Sequence, residues 1–155
     1  MKIDTKELID FLRIANKNTY ANKDALKAIS TRLKSKDYHF EQGNLIYHDT
    51  YFGSRDFIGK EIVYKNNKPV WGMNYYGYVL NPSVGEKEVY DFLRRALMQE
   101  YSDIIPVRGG KSFEVNNWKY TNILSGTIER FTGVERIYHD TELVYQADYH
   151  GGFIE

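Results

Sequence analysis

The sequence predicts an α+β domain made by internal duplication of a helix plus a four-strand antiparallel meander. The first observation is that Gly59–Leu80 aligns without a gap with Gly133–Ile154, with shared Gly, Glu, Tyr and Val positions. The second is that the helical segment "ELIDFLRIA" (Glu7–Ala15) aligns in the same way with "EVYDFLRRA" (Glu88–Ala96). Two such units fit a pseudo-twofold arrangement in which the helices cover one sheet face.

One domain of this kind accounts for the whole sequence. At 155 residues, the chain is long enough to bury a core but too short for two large domains. We therefore expect a single domain over residues 1–155, made of one repeat at 1–80 and a second at 81–155.

Each repeat is predicted to begin with an amphipathic helix. Apolar residues recur at helical spacing on one face of each segment. They are Leu8, Leu12 and Ala15 in the first helix and Val89, Leu93 and Ala96 in the second. Ser83 and Glu86 have the spacing of a capping box, which predicts the start of the second helix.

Turn residues divide the rest of each repeat into four short strands. Glycine, asparagine and aspartate at these positions are typical of tight hairpin turns. The turns fall at 43–44, 53–55 and 66–67 in the first repeat, and at 116–117, from 126 onward and at 140–141 in the second. This spacing predicts a meander after each helix.

The two repeats differ in the segment Asn22–Asp37, which is longer than its counterpart and rich in basic residues. A short helix on Leu26, Ile29 and Leu33 fits this segment, and so does a loop. An excess of lysine and arginine is typical of a solvated surface, which we favour over a contact with an anion or a nucleic acid.

Hairpin pairing predicts which side chains are neighbours in the sheet. In the first repeat, pairing Phe52 with Asp56 puts Tyr47 opposite Glu61, and the next hairpin pairs Glu61 with Gly72. The equivalent hairpins of the second repeat give the same result. There Tyr120 is expected opposite Glu135, and Glu135 is expected to pair with Gln146.

The sheet face away from the helices is the predicted binding surface. Alternation turns Trp71, Met73 and Tyr75 toward the helices and leaves an aromatic and acidic face opposite. Its candidate ligand-binding residues are Tyr47, Asp49, Glu61, Asn74, Tyr76, Tyr120, Glu135, Asp148 and His150. Gly59 and Gly133 leave gaps between these side chains, as in a surface that receives a ligand.

This face favours a small amphipathic or cationic ligand, or a peptide, because tyrosine rings attract cations and glutamates neutralise them. A tyrosine beside a glutamate also fits a plain hydrogen-bonded pair that satisfies two half-buried groups. Arg108, in the segment "RGGK", is a candidate contact for an anion, or a partner of the glutamates in a structural ion pair. A plain glycine turn fits that segment as well.

Two other function classes stay open. The same face suits the docking of a partner protein, or of a second copy in a homodimer, because tyrosine is enriched at interfaces. The third hypothesis is an enzyme that uses Glu61 or Glu135 as a general base. No sequence motif supplies a nucleophile, so catalysis is unsupported.

The composition argues against several kinds of partner. The 21 basic residues balance the 21 acidic ones, so no overall field recruits nucleic acid or an anionic membrane. The chain has no cysteine, and its 4 histidines make no metal motif. No phosphate or dinucleotide fingerprint is present, so we expect no cofactor. Neither a signal peptide nor a membrane-spanning run occurs, and we expect a cytoplasmic protein.

Several stretches resemble a family of uncharacterised bacterial proteins known as a domain of unknown function. The stretches include "DTYFG", "FIGKEIVYKNNKPVWGMNYYG" and the closing "YHGGFI". The resemblance implies a domain that occurs alone or behind a helix-turn-helix module of the XRE type. Residues 1–36 are too few for both the first helix and such a module. The fusion implies a sensory or partner-binding role, and the resemblance carries no catalytic residue.

Overall fold

The computed structural model describes residues 3–81 and 83–155, so Met1, Lys2 and Pro82 lie outside the described residues. The helices are α1 (Thr5–Asn18) and α2 (Glu86–Leu97). The strands of the first part of the chain are β1 (Lys36–Gln42), β2 (Leu45–Gly53), β3 (Asp56–Lys65) and β4 (Lys68–Val79). Those after α2 are β5 (Ser112–Val115), β6 (Trp118–Thr127), β7 (Arg130–His139) and β8 (Glu142–Phe153).

The eight strands form one antiparallel sheet in the order β1-β2-β3-β4-β8-β7-β6-β5. Strands β4 and β8 lie side by side at its centre. They pair without a break from Trp71 with Phe153 to Val79 with Tyr145. The ladder of backbone hydrogen bonds therefore continues through the middle of the molecule.

This continuous sheet shows that the predicted fold class is wrong. The sequence predicts a balanced duplication of helix-plus-meander units, whereas strands make up 49% of the described residues and two short helices only 17%. The unbroken β4–β8 ladder joins all strands into one sheet, which then dominates the architecture. The outermost strands also differ, because β1 has 7 residues and β5 has 4.

The two helices begin differently. At α1, the Asp4 side chain accepts hydrogen bonds from the backbone amides of Lys6 and Glu7, both at 3.0 Å, which caps the first turn. At α2, Gly85 occupies the N-cap position and provides no side-chain cap. The predicted capping box at Ser83 is therefore wrong, because the Ser83 hydroxyl instead donates to the Asn81 side chain at 2.7 Å.

Both helices bury their apolar stripes against the same face of the sheet. Leu8 and Leu12 of α1 belong to a cluster with Trp71. Val89 of α2 belongs to a second cluster with Tyr145. Trp71 and Tyr145 lie on neighbouring central strands and point to the same side, so this inner face is the core of the protein.

A one-residue β-bulge interrupts the hairpin of β3 and β4. Beside the turn Tyr64 pairs with Pro69, but the following pair is Val63 with Trp71, so Val70 is an extra residue. Val70 is itself buried in the core. An extra residue shifts the register by one, and a shift of one exchanges the two faces of the strand beyond it.

The hairpin of β7 and β8 carries the same feature. Tyr138 pairs with Leu143 and Ile137 pairs with Tyr145, which makes Val144 the extra residue. Val144 is fully buried, like its counterpart. Both bulges therefore place a valine in the core beside an aromatic residue.

The bulges overturn the predicted pairings of the two glutamates. Glu61 pairs with Met73 rather than Gly72. In the other hairpin, Glu135 pairs with Ala147 rather than with its predicted partner. Both glutamates consequently share the inner, helix-covered face with the apolar residues of β4 and β8, whereas the sequence predicts them on the opposite face.

The predicted tyrosine–glutamate pairings are also wrong, but by two residues. Tyr47 pairs with Val63, and Tyr120 pairs with Ile137. A shift of two keeps a side chain on its face. Tyr47 and Tyr120 therefore stay on the face of the glutamates, and that face is the inner one.

The basic segment after α1 is a loop, not a helix. Residues 22–35 contain only turns, bends and irregular backbone, with an isolated bridge from Ala28 to Asp37, and Lys36 and Asp37 begin β1. Asp37 anchors the end of the loop by accepting hydrogen bonds from Thr31, Ser35 and His48 at 2.5 to 2.7 Å. Burial raises the pKa of Asp37, but these hydrogen bonds outweigh it and lower the pKa to about 2.

Within residues 3–81 and 83–155, neither helix has the length and apolar character needed to cross a membrane.

A glycine in β7 is required by the close packing of the inner face. A methyl group on Gly133 would overlap the ring of Tyr149. We expect Gly133→Ala to lower the free energy of unfolding by about 1–3 kcal/mol, measured by urea denaturation, because Tyr149 must move. Gly85→Ala is the control: its new methyl meets Glu88 at 3.7 Å, an ordinary contact, so it loses only the N-cap preference for glycine over alanine, up to about 1 kcal/mol. Equal stability of the two variants would contradict this packing.

Candidate functional site

The nine side chains predicted to form one binding surface are divided between the two faces of the sheet. The inner face carries Tyr47, Asp49, Glu61, Tyr120 and Glu135, and all five are buried. The outer face carries Asn74, Tyr76, Asp148 and His150, and all four are exposed. The bulges cause this division, because each moves β4 or β8 by one residue relative to β3 or β7.

A buried ion pair lies on the inner face beneath α2. Arg108, from the loop between α2 and β5, donates from Nη2 to Glu135 Oε1 at 2.5 Å. The side chain of Glu135 is 0% exposed and that of Arg108 is 8% exposed. An ion pair this deep is stable only when hydrogen bonds satisfy its remaining polar atoms.

Two tyrosines provide those hydrogen bonds. Tyr145 donates to Glu135 Oε1 and Tyr120 donates to Glu135 Oε2, both at 2.8 Å. Burial, followed by the charge of Glu135, raises the pKa of both tyrosines well above the ordinary value. Their hydroxyls therefore remain protonated donors, and the charge of Arg108 is committed to Glu135.

Asp49 is a second buried carboxyl, and the cation of Arg108 compensates it only in part. It accepts a hydrogen bond from the Tyr75 hydroxyl at 2.5 Å and is 3% exposed. Burial raises the pKa of Asp49 to about 7, although the Tyr75 hydrogen bond and the Arg108 charge act in the opposite direction. Asp49 is therefore close to changing its charge near neutral pH.

Glu61 lies opposite Asp49 on the neighbouring strand and is buried as deeply. Burial, and then the Asp49 charge, raises the pKa of Glu61 to about 8. Among the described residues, no donor reaches Glu61 Oε2. The Nε atom of Arg108 is likewise unsatisfied within the described part of the chain.

These two atoms belong to residues that line one small cavity of about 20 Å³, together with Tyr47 and Thr19. A space of this size holds about one water molecule. The Arg108 guanidinium is hydrogen-bonded to Glu135, and its charge also acts on Asp49 and Glu61. Asp49 and Glu61 therefore have no full counter-charge of their own.

A larger cavity of about 200 Å³ opens beside Asp49, and we call it the inner cavity. Its walls are aromatic and comprise Tyr20, Tyr51, Phe57 and Tyr90. The rings contact one another, with centroids 6.2 Å apart for Tyr20 and Tyr51 and 6.0 Å apart for Phe57 and Tyr90. The cavity therefore offers flat apolar surfaces around a polar end.

The residues that line the inner cavity differ in burial: we call the buried ones its floor and the exposed or half-buried charged and loop residues its rim. Its floor comprises the buried residues Asp49, Tyr75 and Arg108. Its rim comprises Lys27, Lys36, Gly53, Ser54, Glu86 and Arg94, which are exposed or half-buried. A ligand that enters the cavity meets the rim first and the Asp49 carboxyl last.

The outer face presents a different surface. A groove there is lined by Ile58, Tyr76 and Ile123, which are large and exposed, and by the polar residues of β4 and β8. Within it, Asn74 Nδ2 and His150 Nε2 lie 3.4 Å apart. Within residues 3–81 and 83–155, no group of three histidine or carboxylate side chains could hold a metal ion.

Sequence reasoning misses most of the inner cavity. Tyr75 is predicted as core and is buried in the core, but its hydroxyl also donates to Asp49, which the sequence does not predict. One signal was present: Val70-Trp71 and Val144-Tyr145 are adjacent apolar pairs, which break the alternation of a regular strand. Tyr20, Tyr90 and Arg94 come from other elements, and no local pattern points to them.

The raised pKa of Glu61 makes a prediction about stability and pH. The folded protein retains a proton that an unfolded glutamate, with a pKa of about 4.3, has already released, so the free energy of unfolding falls as the pH rises from about 5 to about 8. Glu61→Gln removes this loss. We expect the variant to gain stability relative to the wild type by up to about 1.4 kcal/mol per pH unit in that window, in urea titrations.

Glu142→Gln, at an exposed position of β8, is the matched control and should follow the wild type at every pH. If the free energies of unfolding of Glu61→Gln and the wild type differ by the same amount from pH 5 to about 8, Glu61 has an ordinary pKa and the prediction is wrong.

Comparison with known proteins places these residues in a family. No curated protein and no solved structure matches the chain. A family model described as "Domain of unknown function (DUF5680)" matches residues 49–154, a range that includes Asp49, Glu61, Arg108 and Glu135. The match covers more than half of the chain and agrees with the resemblance to a domain of unknown function. The chain therefore belongs to the family Domain of unknown function (DUF5680).

Proposed function

We propose that this protein is a binding module for a small amphipathic molecule that carries a cationic group, and that the ligand lies in the inner cavity. The observation that carries the proposal is the excess of buried carboxyls. Asp49 and Glu61 lie in the core beside Arg108, whose charge is already committed to Glu135. A buried carboxyl without a counter-charge is costly, and such groups with raised pKa values concentrate at functional sites.

The polar end of the ligand would lie at Asp49. This carboxyl is on the floor of the inner cavity, and one of its oxygens already accepts from Tyr75. A carboxylate accepts about four hydrogen bonds, so an ammonium group can be added to the same side chain. The cation would favour the charged form of Asp49 and supply the counter-charge that the protein lacks.

The apolar end would lie on the aromatic walls of Tyr20, Tyr51, Phe57 and Tyr90. Aromatic side chains provide a large apolar contact area, and their faces also attract cations. The volume of about 200 Å³ is below the ~300–1,000 Å³ of typical ligand pockets. A compact aromatic molecule suits it.

The geometry supports binding over general-base catalysis. Both carboxylate oxygens of Glu135 are occupied by hydrogen bonds from Arg108 and two tyrosines, which leaves them unavailable to a substrate. Glu61 lines the 20 Å³ space rather than the inner cavity. A binding module also suits the sensory role, in association with bacterial transcription regulators, that the sequence resemblance implies.

A matched pair of variants tests this proposal with 2-phenylethylamine, an aromatic ammonium compound, as the probe. We expect Asp49→Asn to weaken binding ~10-fold or more in calorimetry, because a hydrogen bond to a charged group contributes about 1.5–3 kcal/mol. Asp148→Asn, the same change on the outer face, should bind like the wild type. Affinity for the wild type should also rise with pH through about 7, since the ammonium binds the ionised form of Asp49.

Far-ultraviolet circular dichroism of both variants controls for folding. Loss of binding in Asp148→Asn with binding retained in Asp49→Asn would move the site to the outer face and contradict the proposal.

A further inference from the structure

The rim of the inner cavity carries two cations that are held in place by uncharged groups. Lys36 donates from Nζ to the Gly53 carbonyl at 2.7 Å and lies 5.5 Å from the centre of the Tyr51 ring. Arg94 donates from Nε to the Tyr20 carbonyl at 3.1 Å, with its guanidinium carbon 4.4 Å from the centre of the Tyr20 ring.

Some other cations of the described chain are paired with carboxylates, whereas Arg13, which does not line the inner cavity, also donates to a carbonyl, that of Tyr101, and lies over a ring. The Nζ atom of each of Lys6, Lys65 and Lys87 lies 2.5 to 2.6 Å from a carboxylate oxygen. No such ion pair involves Lys36 or Arg94 among the residues that the structure describes. Their charges are therefore oriented at the cavity by a carbonyl and a ring, and neither charge is neutralised.

The sign of the charge changes with depth. Lys36 and Arg94 are half-buried near the mouth, while Asp49 is buried at the floor. Glu86 also lies at the rim, on the first turn of α2, and is exposed. Lys27 is a third cation at the rim and is exposed. A purely cationic ligand would have to pass these cations, and a purely anionic one would end at a carboxyl.

We infer that the ligand of the inner cavity is a zwitterion of the aromatic amino acid class, with its ammonium at Asp49 and its carboxylate within reach of Lys36 and Arg94. This inference rests on the proposed function, since it names the ligand class of the same site. The aromatic side chain of such a ligand lies against the aromatic walls. Each charge of the ligand then meets an opposite charge that the protein leaves free.

The test compares ligands that differ by one charged group. The probes are phenylalanine, tyrosine and tryptophan, the three amines that lack only their carboxylates, and 3-phenylpropionate, which lacks the ammonium of phenylalanine. We expect at least one amino acid to bind the wild-type protein ~10-fold or more tightly than its own amine, which is the effect of one charge-assisted hydrogen bond. The anion 3-phenylpropionate should bind less tightly than phenylalanine.

Two variants assign the carboxylate contact. Arg94→Met and Lys36→Met keep an apolar stem and remove a charge. Each should lower the affinity for the amino acid toward that of its amine, while the affinity for the amine stays the same or rises. Lys87→Met is the matched control on α2, because Lys87 is exposed and paired with Asp91, and it should change neither affinity.

The outcomes separate this inference from the proposed function. If the amines bind as tightly as the amino acids and Asp49→Asn still weakens both, the zwitterion is wrong and the cation site stands. If Arg94→Met and Lys36→Met both leave the preference for the amino acid intact, the rim contact is wrong. If no probe binds the wild type, both the ligand class and the proposed site are contradicted.

Discussion

The extra residue in each of the hairpins β3–β4 and β7–β8 controls which side chains lie beneath the helices. Val70 and Val144 are buried, and each takes up one residue of β4 or β8 without a partner on the opposite strand. With this shift, Glu61 and Glu135 lie on the same face as Trp71. Carboxyl groups are thereby brought into a layer that the apolar stripes of α1 and α2 cover.

Burying these carboxyls carries an electrostatic cost, and the two halves of the inner face compensate it differently. Glu135 pairs with Arg108 and accepts hydrogen bonds from two tyrosine hydroxyls, which is the condition for a stable buried ion pair. Asp49 and Glu61 have no guanidinium of their own, and burial raises the pKa of each. An uncompensated carboxyl pair in the core lowers stability, and active or binding sites are where proteins retain such groups.

The inner cavity joins Asp49 to the solvent. Its floor is Asp49 and its rim carries Lys36 and Arg94, so it offers both signs of charge to one ligand. The aromatic walls lower the local dielectric constant, which strengthens the interaction of each charge with a ligand. Shape, apolar area and charge therefore favour the same class of small molecule.

Some of this structure follows from the sequence by simple rules. The periodic residues Leu8, Leu12, Val89 and Leu93 predict the buried faces of the helices, and all four are buried. Asn66-Asn67 and Asp140-Thr141 predict tight turns, and these residues have the positive φ angles that such turns require. Both kinds of signal are local, so they do not depend on the rest of the fold.

The site could not be predicted in the same way, because it depends on non-local registers. A bulge is one residue long, and the adjacent apolar residues Val70 and Trp71 fit a regular strand end equally well. Once the face is assigned wrongly, Glu61 and Asp148 are expected on the same face of the sheet, although the structure puts them on opposite faces. Arg94 and Tyr20 reach the cavity only through the packing of α2 and the loop after α1 onto the sheet.

Titration of the Asp49 and Glu61 carboxyl carbons by NMR, in the protein without ligand, measures directly whether the two buried carboxyls lack a counter-charge. We expect both to titrate with midpoints above pH ~6, because burial outweighs the charge of Arg108. Midpoints near the ordinary value of about 4 for both groups would contradict this expectation. In that case the two carboxyls would be fully compensated within the protein, and the reason to place a cationic group in the inner cavity would be lost.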